Sequence, residues 1–274
     1  MNLTDLFPDA DYQFSFRFER APAGQFFRPT AAHDGLVAER RRWLERDPGR
    51  YAGLLPEGVP LLEETIAFAR IEGTLRSDDL AQAPGQTWER CLELGRTWEP
   101  DFVLLTVAPD TTVRLVGGCV CFPSSWSLEE KLGQPIEAIH GIVPGLNAAL
   151  GSRIHGFLAK LRPGIGWLRS NWGLSRGAEL NQHPVRGLPR LDAAVRLEEV
   201  WLRIEHQALV ALPETKGILF GIRLALLPFR EIRRDEILAS RVARALATMP
   251  EEVARYKGLT GARERLLEFL WPVK

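Results

Sequence analysis

The sequence has few cysteines, no excess charge of either sign and no long apolar run. Three cysteines among 274 residues provide no disulfide framework, so we predict a reduced, cytoplasmic protein. Lysine plus arginine and aspartate plus glutamate both total 35, which removes the electrostatic signature of a dedicated nucleic-acid-binding protein. No window reaches the roughly 18 consecutive apolar residues of a membrane span, and the N-terminus does not resemble a signal peptide. We therefore expect neither nucleic acid nor membrane as a partner.

Motifs of the common enzyme classes are also missing. The sequence contains no P-loop, dinucleotide fingerprint, HExxH or nucleophile elbow. Cys119 and Cys121 are predicted to lie on one face of a strand, where zinc would need further soft ligands. Cys91 stands alone on a predicted helix, so we interpret the cysteines as small buried hydrophobes.

The hydrophobic periodicity predicts helices at both ends of the chain and strands between them. A strand is predicted at 216–227, where apolar residues are nearly continuous, and we expect it to be central in its sheet. This order predicts an α+β fold with a mostly antiparallel sheet. The predicted helices are 34–45 (capped by Asp34), 60–71, 87–98, 127–133, 145–161, 235–248 (capped by Asp235) and 262–270. The predicted strands are 102–107, 112–121, 167–172, 198–209 and 216–227, with one short strand in the first thirty residues.

One of the five histidines has a sequence environment that suits a metal ligand. His140 lies in a stretch rich in isoleucine, valine, glycine and proline, which we predict to be a stiff apolar loop. An imidazole there suits an axial haem ligand, because apolar surroundings keep water off the iron. His33, His155 and His183 are interpreted as solvated, capping or core residues.

Polar side chains interrupt two of the predicted apolar strands. Arg169 and Asn171 are two residues apart in one strand, and Arg203 and Glu205 are two residues apart in another, so each pair shares a face. A buried charge without a partner is costly. One interpretation is an internal arginine–glutamate ion pair between adjacent strands. The other is a site where an arginine holds a ligand carboxylate and Glu205 holds a cationic amine.

Three separated blocks resemble the haem-dependent oxidative N-demethylase family. The blocks are VCFPSSWSLEEKLGQPIEAIHGIVPG (120–145), LRSNWGL (168–174) and LRIEHQALVALPETKGILFGIRLALLPF (202–229). The resemblance implies a PAS-like, mostly antiparallel sheet with helical N-terminal and C-terminal flanks, binding haem b without a covalent bond. The absence of a CxxCH motif agrees with non-covalent binding. It also implies one haem-binding domain over 1–274, with a mainly helical part at 1–100, a sheet core at 101–229 and C-terminal helices at 230–274.

The resemblance further implies a reaction and the residues that serve it. In that family the haem activates O2 with electrons from flavin and iron–sulfur partner proteins, and an N-methyl group of a small amine leaves as formaldehyde. The IHxxVPG stretch makes His140 the implied iron ligand. Arg169, Asn171 and Arg203 become candidates for the haem propionates or pocket walls, and Glu205 becomes the candidate catalytic residue that holds the substrate ammonium.

The sequence departs from the family pattern near Glu205. An arginine of the family is replaced by His206, and a threonine–tyrosine pair is replaced by Leu224 and Ala225. His206 is also a second possible iron ligand, although strand alternation places it on the face opposite Glu205. A lost hydroxyl and phenol change which groups orient a small amine, so dimethylamine is not the expected substrate. A haem-binding PAS-like sensor without turnover remains an alternative, as does a non-catalytic binding protein stabilised by an Arg203–Glu205 network.

Overall fold

The computed structural model of the protein describes residues 3–75 and 87–271. Within these ranges the strands form a seven-stranded sheet in the order β1-β5-β6-β7-β3-β4-β2, with every neighbouring pair antiparallel. The predicted α+β class with an antiparallel sheet is confirmed. The strands are β1 (Glu19–Pro22), β2 (Ala52–Leu54), β3 (Asp101–Val107), β4 (Val113–Cys119), β5 (Ile165–Arg176), β6 (Val200–Ala211) and β7 (Ile218–Pro228).

Helices precede the sheet core, interrupt it between β4 and β5, and follow it. Apart from 127–133, each predicted helix has a counterpart within a few residues, and Asp235 caps α9 by accepting from the backbone N–H groups of Ile237 and Leu238. Asp34 is not a cap, because α2 already begins at His33. The α-helices are α1 (Leu3–Leu6), α2 (His33–Arg46), α3 (Pro48–Tyr51), α4 (Val59–Ile71), α5 (Thr87–Thr97), α6 (Ile136–Gly141), α7 (Leu146–Leu158), α8 (Phe229–Arg233), α9 (Glu236–Thr248), α10 (Glu251–Tyr256) and α11 (Arg263–Leu270).

The strand β7 occupies the middle of the sheet, as its apolar sequence predicted. It pairs with β6 over its whole length but with β3 only from Ile218 to Ile222. Gly221 lies under the ring of Phe27, and a Cβ at this position would lie 2.6 Å from that ring. Among the described residues, the second half of β7 therefore has no strand neighbour on its β3 side, and loops approach it there.

Two predictions between β4 and α7 were wrong. Residues 128–133 form successive turns and no helix, because the Gly133 N–H bonds to the Leu115 carbonyl of β4 and draws the chain back to the sheet. The segment predicted as a loop around His140 instead forms the short helix α6, in which the Pro135 carbonyl accepts from the Ala138 N–H. Proline before the first turn favours a helix start, a signal that the surrounding glycines and prolines obscure.

The sheet has two covered faces, which we name by their helices. On the α4 face, Ala208 joins a core cluster with residues of α4 and α5, and Ile204 joins a second cluster with residues of α9 and α11. On the α7 face, Leu209 packs in a cluster that includes Leu158 of α7. Odd-numbered residues of β5 and β6 face α7 and even-numbered residues face α4, since side chains alternate along a strand. Among the described residues, no helix combines the length and apolar character needed to cross a bilayer.

Candidate functional site

Polar side chains cross the α7 face in two adjacent rows. Asn171 in β5 lies directly opposite Glu205 in β6, which lies opposite Leu224 in β7. In the next row Arg169 lies opposite Gln207. Beyond this second row the face is apolar and belongs to the α7 core cluster. The polar rows thus occupy the middle of a sheet face.

Glu205 has one carboxylate oxygen engaged and one available. Its Oε2 accepts a hydrogen bond from Nε2 of Gln207 at 3.1 Å, and the side chain is half-buried. Among the described residues, no donor bonds its Oε1 and no cation forms an ion pair with it. A half-buried carboxylate with a free oxygen suits a cationic ligand that can donate an N–H.

Arg169 is a cation without an anionic partner in the described part of the chain. Its Nε is buried and makes no hydrogen bond, while its Cζ lies 5.6 Å from the ring centre of Phe18. Burial lowers the pKa of Arg169, and the charge of Glu205 opposes this effect. A buried guanidinium donor without a partner costs free energy, so this position favours an anionic ligand group such as a carboxylate.

His140 on α6 has a neutral imidazole at pH 7. Burial, together with the positive charge of Arg169, lowers its pKa to about 4. Its neighbours Ile136 and Ile139 pack against the α7 core cluster. Since only a neutral imidazole can coordinate a metal, His140 is prepared for ligation at physiological pH.

Arg203 is held by the chain itself. The residue is only 2% exposed, and its Nε, Nη1 and Nη2 donate to Ser124 Oγ, the Glu179 carbonyl and the Leu180 carbonyl at 3.2, 2.6 and 2.9 Å. No ion pair joins it to Glu205 within the described residues, so the internal Arg203–Glu205 network considered from the sequence is not found. Arg203 instead anchors the 179–180 segment against one end of the polar rows. Asn171, opposite Glu205, is exposed.

His206 lies on the α4 face, as strand alternation predicted. Its Nδ1 is 2.8 Å from Ser170 Oγ, and burial lowers its pKa. It lines a cavity of about 210 Å³ with Glu99, Arg223 and seven other residues. Arg223 forms an ion pair with the buried Glu99 and also donates to two backbone carbonyls. His206 is therefore separated by the sheet from Glu205.

Two side chains near Glu205 were missed by the sequence interpretation. Gln207 bonds the carboxylate directly, and its i+2 position on the same strand was the available signal. Lys257, which follows α10, donates from Nζ to the Trp172 carbonyl at 2.8 Å. Burial lowers the pKa of Lys257 to about 8, opposed by the charge of Glu205. No local pattern in the sequence relates Lys257 to a strand about fifty residues away.

The cysteines form a buried group away from these rows. Cys119 and Cys121 have their sulfurs 3.9 Å apart, and all three cysteines are buried, as predicted. Arg40 donates to Cys119 Sγ at 3.3 Å and pairs with the buried Asp101. The described residues contain no group of three or more His, Cys, Asp or Glu side chains arranged for a metal ion.

Comparison with known families identifies one match that covers most of the chain. Residues 39–267 match the family model described as haem-dependent oxidative N-demethylase, alpha subunit-like. The matched range includes the polar rows of the α7 face, the helix α6 and the loop that holds Arg203.

Proposed function

The chain belongs to the haem-dependent oxidative N-demethylase alpha subunit-like family, and from this premise we propose that it is a haem-dependent oxygenase that demethylates a small N-methylated amine. The family name indicates dependence on haem and a role as one subunit of a larger enzyme. The substrate class, the haem type, the electron donor and the individual residue roles are our proposals. The observation that carries them is Arg169, which has no anionic partner among the described residues and whose charge acts on the neutral His140. On the same sheet face, Glu205 keeps one carboxylate oxygen without a donor from the described residues.

The residues on the α7 face fit a haem. His140 supplies a neutral nitrogen for the iron, and Arg169 supplies an unpaired cation for a propionate. Asn171 is proposed to contact the haem edge from the exposed end of the polar rows, and Arg203 to support the haem site through the 179–180 segment. When held there without a covalent bond, in what we propose is a PAS-like sheet, haem b would supply the O2 chemistry. We propose that residues 1–274 form one such haem-binding unit.

Glu205 is proposed to hold the substrate ammonium. Its free Oε1 accepts an N–H of the amine, while Leu224 on the neighbouring strand offers an apolar wall to the methyl groups. By strand register Leu224 shares this face with Glu205, whereas Ala225 lies on the α4 face. At the edge of β7 the Leu224 side chain also lines the cavity beside His206 and packs against the α4 cluster. Of the two departures on β7, the replacement of a threonine by Leu224 is therefore the one proposed to alter the amine's surroundings. A more apolar wall favours an amine with more alkyl substituents than dimethylamine.

Electrons for O2 are proposed to come from a separate partner. The sequence lacks a glycine pattern for flavin or nicotinamide, and the family is named for an alpha subunit. A flavin and iron–sulfur reductase suits this requirement. Cytoplasmic location stays a prediction, supported by three buried cysteines that form no disulfide.

The test is NADH-dependent release of formaldehyde from a panel of N-methylated amines, using the haem-loaded protein and a supplied reductase. We expect release from at least one tertiary or branched amine, and a loss of at least a hundredfold in Glu205→Gln. A normal haem spectrum without any turnover would contradict the oxygenase and favour the sensor. The exposed Gln134→Met variant serves as the control for purification and haem loading.

A further inference from the structure

Gln207 connects the two charged residues of the α7 face. It lies on the same strand and face as Glu205 and directly opposite Arg169 in β5. Its Nε2 donates to Glu205 Oε2 at 3.1 Å, which assigns the amide nitrogen to the carboxylate side. The amide oxygen facing the carboxylate would place two acceptors together.

The arrangement separates two opposite charges that would otherwise neutralise each other. Arg169 lies one row away from Glu205, close enough for the pKa of the guanidinium to respond to the carboxylate. The described residues nevertheless contain no ion pair between them, and the residue opposite Arg169 is Gln207. One oxygen of Glu205 is thus occupied by a neutral donor, and the other stays free. The Nε of Arg169 likewise has no hydrogen-bond partner among the described residues.

We propose that Gln207 is a positioning residue, which fixes the Glu205 carboxylate by one oxygen and keeps it from pairing with Arg169. This inference rests on the proposed function, since it deepens the role of Glu205 as the ammonium site. Without the Gln207 donor, the Glu205 carboxylate can rotate toward the Arg169 guanidinium. The two charges then pair with each other, and neither is available to bind a ligand. A neutral amide suits this task, because a carboxylate there would repel Glu205 and a cation would occupy its free oxygen.

The test is a double-mutant cycle on haem-loaded protein, with trimethylammonium chloride as the probe and calorimetry or ligand-observed NMR as the measurement. Gln207→Met keeps the length of the side chain but removes the donor. We expect it to weaken probe binding about 10–100-fold, as for the loss of a hydrogen bond to a charged group. Glu205→Gln is expected to weaken binding at least as much. In the Glu205→Gln background, Gln207→Met is expected to change any remaining affinity for the probe by less than about twofold.

The outcomes separate this inference from the proposed function. If the wild-type protein binds haem but no ammonium probe, the amine site and the positioning role both fail. If the wild-type protein binds the probe and Gln207→Met binds it equally well, only the positioning role fails. A loss of similar size in both backgrounds, or a loss accompanied by a changed Soret band, would show a general structural effect and overturn the inference. Gln134→Met, an exposed control, should match the wild-type protein throughout.

Discussion

Replacing Arg169 by methionine should stabilise the haem-free protein and weaken its affinity for haem. The buried Nε of Arg169 has no partner in the described ranges, and an unsatisfied buried donor of this kind costs about 1–3 kcal/mol. Methionine keeps the aliphatic packing of the stem but loses the contact with Phe18, worth about 0.5–1 kcal/mol. The net expectation is a gain of about 1 kcal/mol in the free energy of unfolding, or roughly 2–4 °C in Tm.

The same substitution should have the opposite effect on the haem-loaded protein. Loss of a charge-assisted contact with a propionate costs about 1.5–3 kcal/mol, which is roughly 10–150-fold in haemin affinity. Urea denaturation of the haem-free protein and haemin titration measure the two effects separately. Arg162→Met is the matched control, because this exposed arginine bonds, within the described part of the chain, only to its neighbour's carbonyl and should change neither quantity. A less stable haem-free variant, or an unchanged haemin affinity, would refute the assignment of Arg169 to a ligand anion.

Three further predictions concern pH, the core and the amine. The pKa of His140 is lowered from 6.5 to about 4, so the unfolded chain takes up this proton at a higher pH than the folded protein. The free energy of unfolding should therefore fall by about 3 kcal/mol from this group as the pH drops from 6.5 toward 4. Acid denaturation of His140→Ala should lack that contribution, and a pH profile identical to that of the wild-type protein would contradict it. Asp101→Ala leaves the buried Arg40 unpaired and should destabilise the protein by about 3–5 kcal/mol in urea titration, whereas a loss under 1 kcal/mol would contradict the pairing. Leu224→Thr should raise the affinity for dimethylammonium about fivefold relative to trimethylammonium, because a hydroxyl on Glu205's face can accept the second N–H of dimethylammonium. Unchanged relative affinities in calorimetry would contradict the placement of residue 224 beside the amine.

The sequence predicted the sheet better than the segments that border its polar rows. Long apolar or alternating runs such as β6 and β7 have a strong period, and alternation correctly separated Glu205 from His206. The helix α6 was missed because its few residues lie among prolines and glycines, where a single-turn helix has no periodic signal. The edge strand β2 was missed for a related reason, since three residues are too few to show alternation.

The candidate site was predicted in its residue types and only partly in its connections. The i, i+2 spacing indicated that Arg169 shares a face with Asn171, and Arg203 with Glu205, but not which charges meet. Arg203 bonds mainly to backbone carbonyls of the 179–180 segment, and any residue type can supply a carbonyl, so the sequence carries no signal for that contact. The absence of an ion pair at Arg169 likewise depends on strand register, which a single sequence specifies weakly.

The central claim is that this chain binds haem on the α7 face with His140 as the iron ligand. The most direct test is the absorption spectrum of the purified protein after addition of haemin, recorded in the oxidised form, after dithionite reduction and with CO, for the wild-type protein and His140→Ala. We expect a sharp Soret band in the wild-type protein that shifts on reduction and again with CO, and its loss or clear displacement in His140→Ala. A wild-type protein without a Soret band, or a variant with the same spectra as the wild-type protein, would contradict it.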